Sequence, residues 1–204
     1  MSDHAWSSSL TGWRVPRAGV TPERVVAAAA DIADEQGIDS LTLAAVAGRL
    51  GVSVPSLYRH VDGLDGMRRL LCLRSLDELA DIVTSSAVGV ARGDALRSFA
   101  TAYRGYARDA PGRYATTVAA PRKADDDHAR AASRVLHPLL ALLASYGLSE
   151  VEQIDAARFL RSSLHGFVTL EQGGGFGLPQ DIDESFRQLV AALDRSLATW
   201  SVSE

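Results

Sequence analysis

Residues 41–60 read LTLAAVAGRLGVSVPSLYRH, and this stretch decides the fold of the N-terminal part of the chain. Two short helices that cross steeply need a small residue where they touch, and Ala47 supplies it. Four residues later, Gly51 allows the chain to turn sharply. Thr42 can cap the first of the two helices, and Ser53 can cap the second. The pattern predicts a helix-turn-helix, although a helical hairpin of another kind can show the same spacing by chance.

The side chains of this stretch divide into an inner and an outer set. The apolar residues spaced to fill a small core are Val46, Leu50, Val52 and Leu57. The residues left for the outer face of the second helix are mostly small or polar, which suits insertion into a DNA major groove about 12 Å wide. They are Ser53, Val54, Pro55, Ser56, Arg59 and His60. The stretch therefore favours a helix that reads DNA.

Helix signals continue along the rest of the chain, and no segment keeps the two-residue alternation of a strand. Thr21 and Pro22 can start a first helix, which Gly37 can close in a left-handed conformation. Ser149 and Glu152 form a capping box at the start of a later helix. We predict an all-α fold of about nine helices.

Three regions are expected along the chain. Residues 1–19 form a flexible N-terminal arm, residues 20–63 form the helix-turn-helix domain, and residues 64–204 form a larger helical domain. Charged residues make up 23% and hydrophobic residues 47% of the chain, which is typical of a globular protein. No apolar run is long enough to cross a bilayer, and the N-terminus lacks the apolar core of a secretory signal. A single cysteine, Cys72, suits a reducing compartment, so we expect a cytoplasmic protein without a membrane partner.

The charge of the chain limits how it can bind nucleic acid. A net charge of −4 argues against a protein that coats nucleic acid without specificity. Residues 1–74 contain eight arginines and eight acidic residues, so the DNA-binding end is neutral as well. We expect affinity to come from individually placed contacts.

The first helix, residues 40–60 and the start of the fourth helix strongly resemble the TetR/AcrR family of transcription regulators. The resemblance implies a three-helix DNA-binding domain followed by a domain that dimerises and binds a small organic effector, usually in a repressor. It also implies a palindromic DNA operator as partner and no cofactor. Activation of transcription, or an architectural role without a ligand, are alternatives that the sequence leaves open.

The resemblance also suggests which residues touch DNA. Thr42 takes the place of the family's phosphate-contacting residue, and Tyr58 and His60 resemble its anchors on the DNA backbone. Arg59 can reach a phosphate or a base. The residues in the base-reading turn are Ser53, Pro55 and Ser56, with Val54 between them.

One position departs from the family pattern. The family commonly has a phosphate-binding lysine at the start of the fourth helix, where this chain has Leu64, with Asp62 and Asp65 beside it. The amide groups of a helix N-terminus can still bind phosphate, but these carboxylates oppose it. We expect Arg14 and Arg17 in the N-terminal arm to compensate by contacting the DNA backbone or the minor groove. The alternative is an arm without a DNA contact.

Two helices near the C-terminus are candidates for a dimer interface. The helix that begins at Ser149 is apolar nearly all round in its second half, and the last helix carries a continuous apolar stripe. Together they can form an isologous four-helix interface between two subunits, or they can simply fill the core of one. The interface residues that we predict are Leu160, Phe167, Leu189, Leu193 and Leu197.

The segment His165-Gly166-Phe167, followed by Glu171 and the glycine-rich residues 173–179, is similar to a C-terminal domain type of this family. That domain is often marked by a Trp-His-Gly motif, and Leu164 replaces the tryptophan here. For the effector we expect polar groups on otherwise apolar surfaces of the fifth to eighth helices. The candidates are Tyr103, Tyr106, His137 and His165, and the alternative for each is a hydrogen-bonded core residue.

Catalysis is the main competing class of function. His165 with Glu171, or His128 among three consecutive aspartates at 125–127, could indicate an acid–base or metal site. However, an acidic run at a helix start is usually solvated and complements the helix dipole. The glycine-rich segment lacks the Lys-Ser/Thr of a phosphate-binding loop. We therefore predict neither an enzyme nor a metal site.

Overall fold

The computed structural model describes residues 20–86 and 92–200, which form nine α-helices and no strand. The helices are α1 (Pro22–Gln36), α2 (Leu43–Leu50), α3 (Val54–Leu57), α4 (Gly63–Ser86), α5 (Arg92–Asp109), α6 (Pro111–Thr116), α7 (Asp126–Ala144), α8 (Glu150–Gln172) and α9 (Ile182–Ala198). The predicted all-α fold is confirmed. Within the described ranges, no helix is long and apolar enough to cross a membrane.

Most predicted helix ends are found where the capping residues stand. The Thr21 hydroxyl accepts a hydrogen bond from the amide of Arg24, and Ser149 and Glu152 form the predicted capping box. Gly37 ends α1, but its φ of 86° and ψ of 155° lie outside the left-handed helical region that we expected. Such a backbone conformation is open to glycine and strained for residues with a side chain.

The first three helices pack around a small core that also includes the beginning of α4. Val46 and Leu57 are fully buried there, and Leu50 and Val52 pack against them partly buried. This is the inner set predicted from the sequence. Met67 and Leu71 of α4 belong to the same core, whereas Leu79 and Val83 of that helix belong to the next one. The domain boundary expected after residue 63 thus falls at the start of α4, and this helix contributes side chains to both cores.

The larger core lies among α4 to α9 and changes the interpretation of the predicted dimer interface. Leu160, Leu193 and Leu197 are 0%, 3% and 1% exposed inside one protomer. Because their side chains are already surrounded, they cannot also contact a partner, and assigning them to the interface was wrong. Phe167 and Leu189 are only partly buried.

The glycine-rich segment between α8 and α9 is held by one buried arginine of α5. Arg104 forms ion pairs with Glu171 at 2.5 Å and Asp183 at 2.7 Å. Its guanidinium also lies 4.7 Å from the centre of the Phe186 ring, a cation–π distance. These contacts fix the end of α8 against the start of α9. Glu171 therefore has a structural role, as the ion-pair partner of Arg104.

The short helix α6 lies against the DNA-binding end of the molecule. Gly112 is buried against α1, and a Cβ atom placed on it would lie 2.1 Å from the carbonyl carbon and oxygen of Ala33. Only glycine permits this approach of the two backbones. The contact places α6 between α1 and the helices of the larger core.

Candidate DNA interface and effector cavity

Thr42 occupies the start of α2 and keeps a free hydrogen-bond donor. Its Oγ1 accepts the amide of Ala45 at 3.1 Å and so caps the helix. The residue is exposed, and its hydroxyl hydrogen is not donated to any described residue. A hydroxyl that is positioned by a cap and can still donate suits contact with a phosphate oxygen. The predicted role of Thr42 stays a prediction, now with a defined geometry.

The base-reading turn differs from expectation in one detail. The side chain of Ser53 makes no capping bond, although its backbone takes the capping position of α3. Instead, the Ser56 hydroxyl donates to the carbonyl oxygen of Ser53 at 2.5 Å. Because its hydrogen is engaged, Ser56 presents lone pairs and is suited to accept from a base amino group. Pro55 is exposed beside it, and Val54 is partly buried against the small core.

The residues after α3 are available for DNA. Tyr58 is 60% exposed, and its hydroxyl makes no hydrogen bond within the described part of the chain. Arg59 is exposed and His60 is partly exposed. An exposed tyrosine offers both an apolar ring and a polar hydroxyl, a combination that is enriched at interfaces. These three side chains are therefore the best placed of the predicted DNA contacts.

The electrostatics of this end of the chain remain unfavourable for DNA. Residues 20–62 contain three arginines and six carboxylates. Arg49 is held by Glu35 and Asp31 of α1, which withdraws it from other partners. Leu64, in the place of the family's lysine, packs partly buried against the small core. Arg14 and Arg17, which we expect to compensate, lie outside the described residues.

A cavity of about 190 Å³ lies among α4, α5, α7, α8 and the segment that follows α6. Its lining is mainly apolar and includes Leu76, Phe99 and Leu139. Two of the four predicted effector residues, Tyr103 and His165, also line it. Size, apolar walls and a few polar groups are the usual features of a small-molecule site.

The polar groups at the cavity form a hydrogen-bonded chain. The Tyr103 and Tyr114 hydroxyls lie 2.8 Å apart, and the Tyr114 hydroxyl lies 2.6 Å from Nδ1 of His165. Burial raises the pKa of both tyrosines, since it disfavours the phenolate. Burial and the nearby positive charge of Arg161 lower the pKa of His165. The three hydrogen-bonded side chains, Tyr103, Tyr114 and His165, are therefore uncharged at physiological pH.

The other two predicted effector residues lie away from this cavity. The Tyr106 hydroxyl donates to the carbonyl oxygen of Ser75 at 3.1 Å, so this tyrosine braces α5 against α4. His137 is exposed on α7, in a surface depression shared with Asp81. The expected contact of these two residues with the effector is therefore not supported by this cavity and stays a prediction. Arg161, which lines it, was missed, although its place one helical turn before His165 would have put both on one face of α8.

Helix α6 joins the cavity to the DNA-binding end. Arg113 donates to Asp34 of α1 twice, from its amide at 2.9 Å and from Nε at 2.7 Å. It also pairs with Glu78 of α4 at 2.7 Å. The next residue, Tyr114, is the middle one of the three hydrogen-bonded side chains at the cavity, between Tyr103 and His165. One short helix thus contacts both regions through adjacent side chains.

The residues that could have indicated catalysis have other partners. The Asp125 carboxylate caps α7 by accepting the amide of His128 at 3.1 Å and pairs with Arg69 at 2.6 Å. Arg69 and the His128 amide lower the pKa of Asp125 to about 2. The His128 ring lies 3.6 Å from the buried Cys72 sulfur. The part of the chain that the structure describes contains no group of three or more His, Cys, Asp or Glu arranged for a metal ion.

The fold and the two regions define the chain as a helix-turn-helix transcription regulator with a separate ligand-sized cavity. It belongs to the TetR family. Residues 25–62 match the family described as bacterial regulatory proteins, tetR family, and residues 96–193 match the tetracyclin repressor-like C-terminal domain. The resemblance seen in the sequence is confirmed.

Two relatives are similar over most of the chain. The uncharacterized HTH-type transcriptional regulator Rv0681 of Mycobacterium tuberculosis is 41% identical over 81% of this chain and 75% of its own length. The uncharacterized HTH-type transcriptional regulator YobS of Bacillus subtilis is 38% identical over 83% of this chain and 88% of its own.

Solved structures share the fold at lower sequence identity. BioQ, crystallised with its natural double-stranded DNA operator, has a TM-score of 0.67 and 22% identity, with 89% of this chain and all of that chain covered. ActR, a TetR family protein of Streptomyces coelicolor crystallised with (S)-DNPA, has a TM-score of 0.60 and 19% identity, with 87% and 96% covered. At these identities the likeness concerns the fold alone.

Proposed function

We propose that the chain is a cytoplasmic, ligand-responsive repressor that binds a palindromic operator as a homodimer and is released by a small organic effector. The observation that carries the proposal is the position of α6, which pairs with α1 through Arg113 and with the cavity through Tyr114. A regulator of this kind needs a connection between its ligand site and its DNA-binding domain. The chain has such a connection within two adjacent residues.

The DNA contacts that we propose are the hydroxyls of Thr42 and Tyr58 on phosphates, with His60 and Arg59 beside them. Ser56 would accept from a base, and Ser53, Val54 and Pro55 would shape the turn around it. The exposure of Tyr58 and the free donor on Thr42 support this surface. The BioQ complex, which has the same fold, was solved with operator DNA.

Effector release is proposed to act through α6. A ligand that enters the cavity meets Tyr103 and His165, both bonded to Tyr114. A shift of Tyr114 moves the whole six-residue helix, since its backbone is rigid, and Arg113 moves with it. Because Arg113 holds Asp34 by two hydrogen bonds, α1 and the DNA-reading helix follow. The ligand need only bind better to one of the two arrangements.

The proposed dimer uses the faces of α8 and α9 that one protomer leaves uncovered. On α8, Val151 is 76% and Ile154 is 40% exposed, and Phe167 is partly exposed. On α9, Leu189 and Ala192 are partly exposed beside the buried stripe. Two such pairs of helices can form an isologous four-helix interface.

The experiment that tests the proposed function is a selection of duplexes from a random DNA pool by the purified chain. We expect an inverted repeat to be enriched, and a compound screen on that duplex to find ligands that release it. In vitro transcription from a promoter overlapping the repeat should fall when the protein is added and recover with the ligand. Enrichment of no sequence, or transcription that rises with the protein, would contradict the proposal.

The dimer has its own test. Ala192→Arg places a long charged side chain in the proposed interface and should give monomers by sedimentation at a concentration where the unmodified chain is a dimer. Ala141→Arg makes the same change on an exposed turn of α7 and should leave the dimer intact. A charge at the buried Leu193 would unfold the protomer instead. If Ala192→Arg stays dimeric, the interface lies elsewhere.

A further inference from the structure

We infer that the cavity binds a compact hydrophobic monocarboxylate, with the carboxylate on Arg161 and the apolar body in the space among α4, α5 and α7. The inference deepens the proposed function, since it names the chemical class of the effector. Among the residues that line the cavity, Arg161 is the single lysine or arginine, and no aspartate or glutamate is present.

Arg161 is held at the cavity in a way that leaves it able to bind an anion. Its Nη2 donates to the carbonyl oxygen of Val118 at 2.8 Å and lies 3.5 Å from that of Thr117. These bonds fix the guanidinium beside the segment that follows α6. Its Nε and Nη1 donate to no described residue, and no carboxylate of the described chain pairs with it. A guanidinium with two free N–H directions matches the two oxygens of a carboxylate.

His165 lies one helical turn further along α8 and offers a second, neutral group. Its Nδ1 lies 2.6 Å from the Tyr114 hydroxyl, which orients the imidazole ring at the edge of the cavity. The lowered pKa of this histidine keeps it uncharged beside Arg161. The site then has one positive charge and one neutral polar ring, which fits a monoanion better than a doubly charged phosphate or dicarboxylate.

The rest of the cavity limits the body of the ligand. Its walls are mainly Leu, Val, Ala and Phe side chains, against which a polar body would lose its hydration without gaining hydrogen bonds. The volume of about 190 Å³ is somewhat larger than the roughly 150 Å³ cavity known to hold benzene. The body is therefore about the size of a substituted benzene ring or a short branched chain.

Calorimetric titration of the full chain in the absence of DNA tests this inference. The probes are 3-phenylpropanoate and 4-methylpentanoate, each compared with its neutral primary amide and with the corresponding primary amine as cation. We expect at least one carboxylate to bind about tenfold or more tightly than its amide, since charge-assisted hydrogen bonds are the stronger ones. The amines should not bind.

Variants of α8 assign the preference to Arg161. Arg161→Gln should bind a carboxylate and its amide alike, and Arg161→Lys should restore part of the difference. Arg158→Gln is the matched control, because Arg158 lies on the same helix, pairs with Asp155 and does not line the cavity. It should keep the full preference. Thermal unfolding of all three variants would show that the exposed substitutions leave the fold intact.

Several results would overturn the inference. They are binding of neither carboxylate, an amide or amine that binds as tightly as its carboxylate, and a preference that survives in Arg161→Gln. Failure of the proposed function is a separate result. If a carboxylate binds with the expected preference but does not change operator binding, the ligand class stands and the proposed release mechanism fails.

Discussion

The contact between Gly112 and Ala33 allows a prediction whose magnitude follows from the structure. A Cβ atom at residue 112 would lie 2.1 Å from two backbone atoms of Ala33, whereas ordinary contact begins at 3.4 Å. To accommodate Gly112→Ala, α6 and α1 must therefore separate by about 1.3 Å, since neither obstacle is a flexible side chain. Overpacking of this kind costs about 1–3 kcal/mol. For a chain of this size, that corresponds to a fall in melting temperature of about 2–12 °C.

Gly105 supplies the matched control for this substitution. It lies inside α5, and a Cβ atom there would meet nothing within 4 Å. Gly105→Ala should stabilise the protein by about 0.5–1 kcal/mol, because alanine loses less backbone entropy in a helix. Thermal unfolding followed by circular dichroism, at one protein concentration, should show shifts of opposite sign. A melting temperature for Gly112→Ala at or above that of the unmodified chain would refute the close approach of the two helices.

Three further changes test other parts of the molecule. Tyr58→Phe should weaken binding to every operator about thirtyfold, because each of two protomers loses a phosphate hydrogen bond of about 1 kcal/mol; filter binding to unrelated operators should show equal losses, and a loss confined to one sequence would indicate base reading instead. Replacing Arg14 and Arg17 by alanine should lower the slope of log affinity against log salt by about 2 per protomer, and an unchanged slope would exclude the arm from the DNA. Asp125→Asn should lower the stability of the protein above about pH 4, and the difference from the unmodified chain should disappear below about pH 2. Arg69 and the His128 amide lower the pKa of Asp125 from its ordinary 3.8 to about 2, so its contribution is complete above the ordinary value and is lost as the pH falls through 2. Denaturant titrations across this range would contradict the assignment if the difference between the two proteins did not shrink.

The helix-turn-helix could be predicted because its determinants are local. Ala47 is buried at the crossing, and Gly51 adopts a left-handed conformation with a φ of 67°. Both follow from residues within a few positions of one another. The side-chain bond between Ser56 and Ser53 could not be foreseen, because two serines three residues apart can cap a helix in more than one way.

The dimer and effector predictions were less accurate because they depend on distant parts of the chain. The apolar stripe of α9 indicates which face is covered, but not whether the cover comes from the same protomer or from a partner. Leu193 and Leu197 are covered by their own protomer. Likewise, Tyr103 and Tyr106 are both buried on α5, yet only Tyr103 reaches the cavity, whose walls come mainly from α4, α7 and α8.

The sequence correctly predicted that the DNA-binding end of the chain carries no excess of positive charge, and this limits how tightly one domain can bind DNA. With Arg49 held by α1 and Leu64 in the place of a lysine, one DNA-binding domain has few cationic contacts. A single domain should therefore bind weakly. In the proposed homodimer, specific affinity comes from two such domains held at a fixed separation, and we therefore propose that dimerisation is part of the DNA-binding mechanism.

The most direct test of this account is a change of spacing in the selected operator. Two duplexes carry the same half-sites, one with the selected spacing and one with about five extra base pairs, which rotates one half-site to the opposite face of the DNA. The account predicts that two protomers bind the first duplex cooperatively and that the second binds no better than a single half-site. Equal affinity for the two duplexes would contradict it.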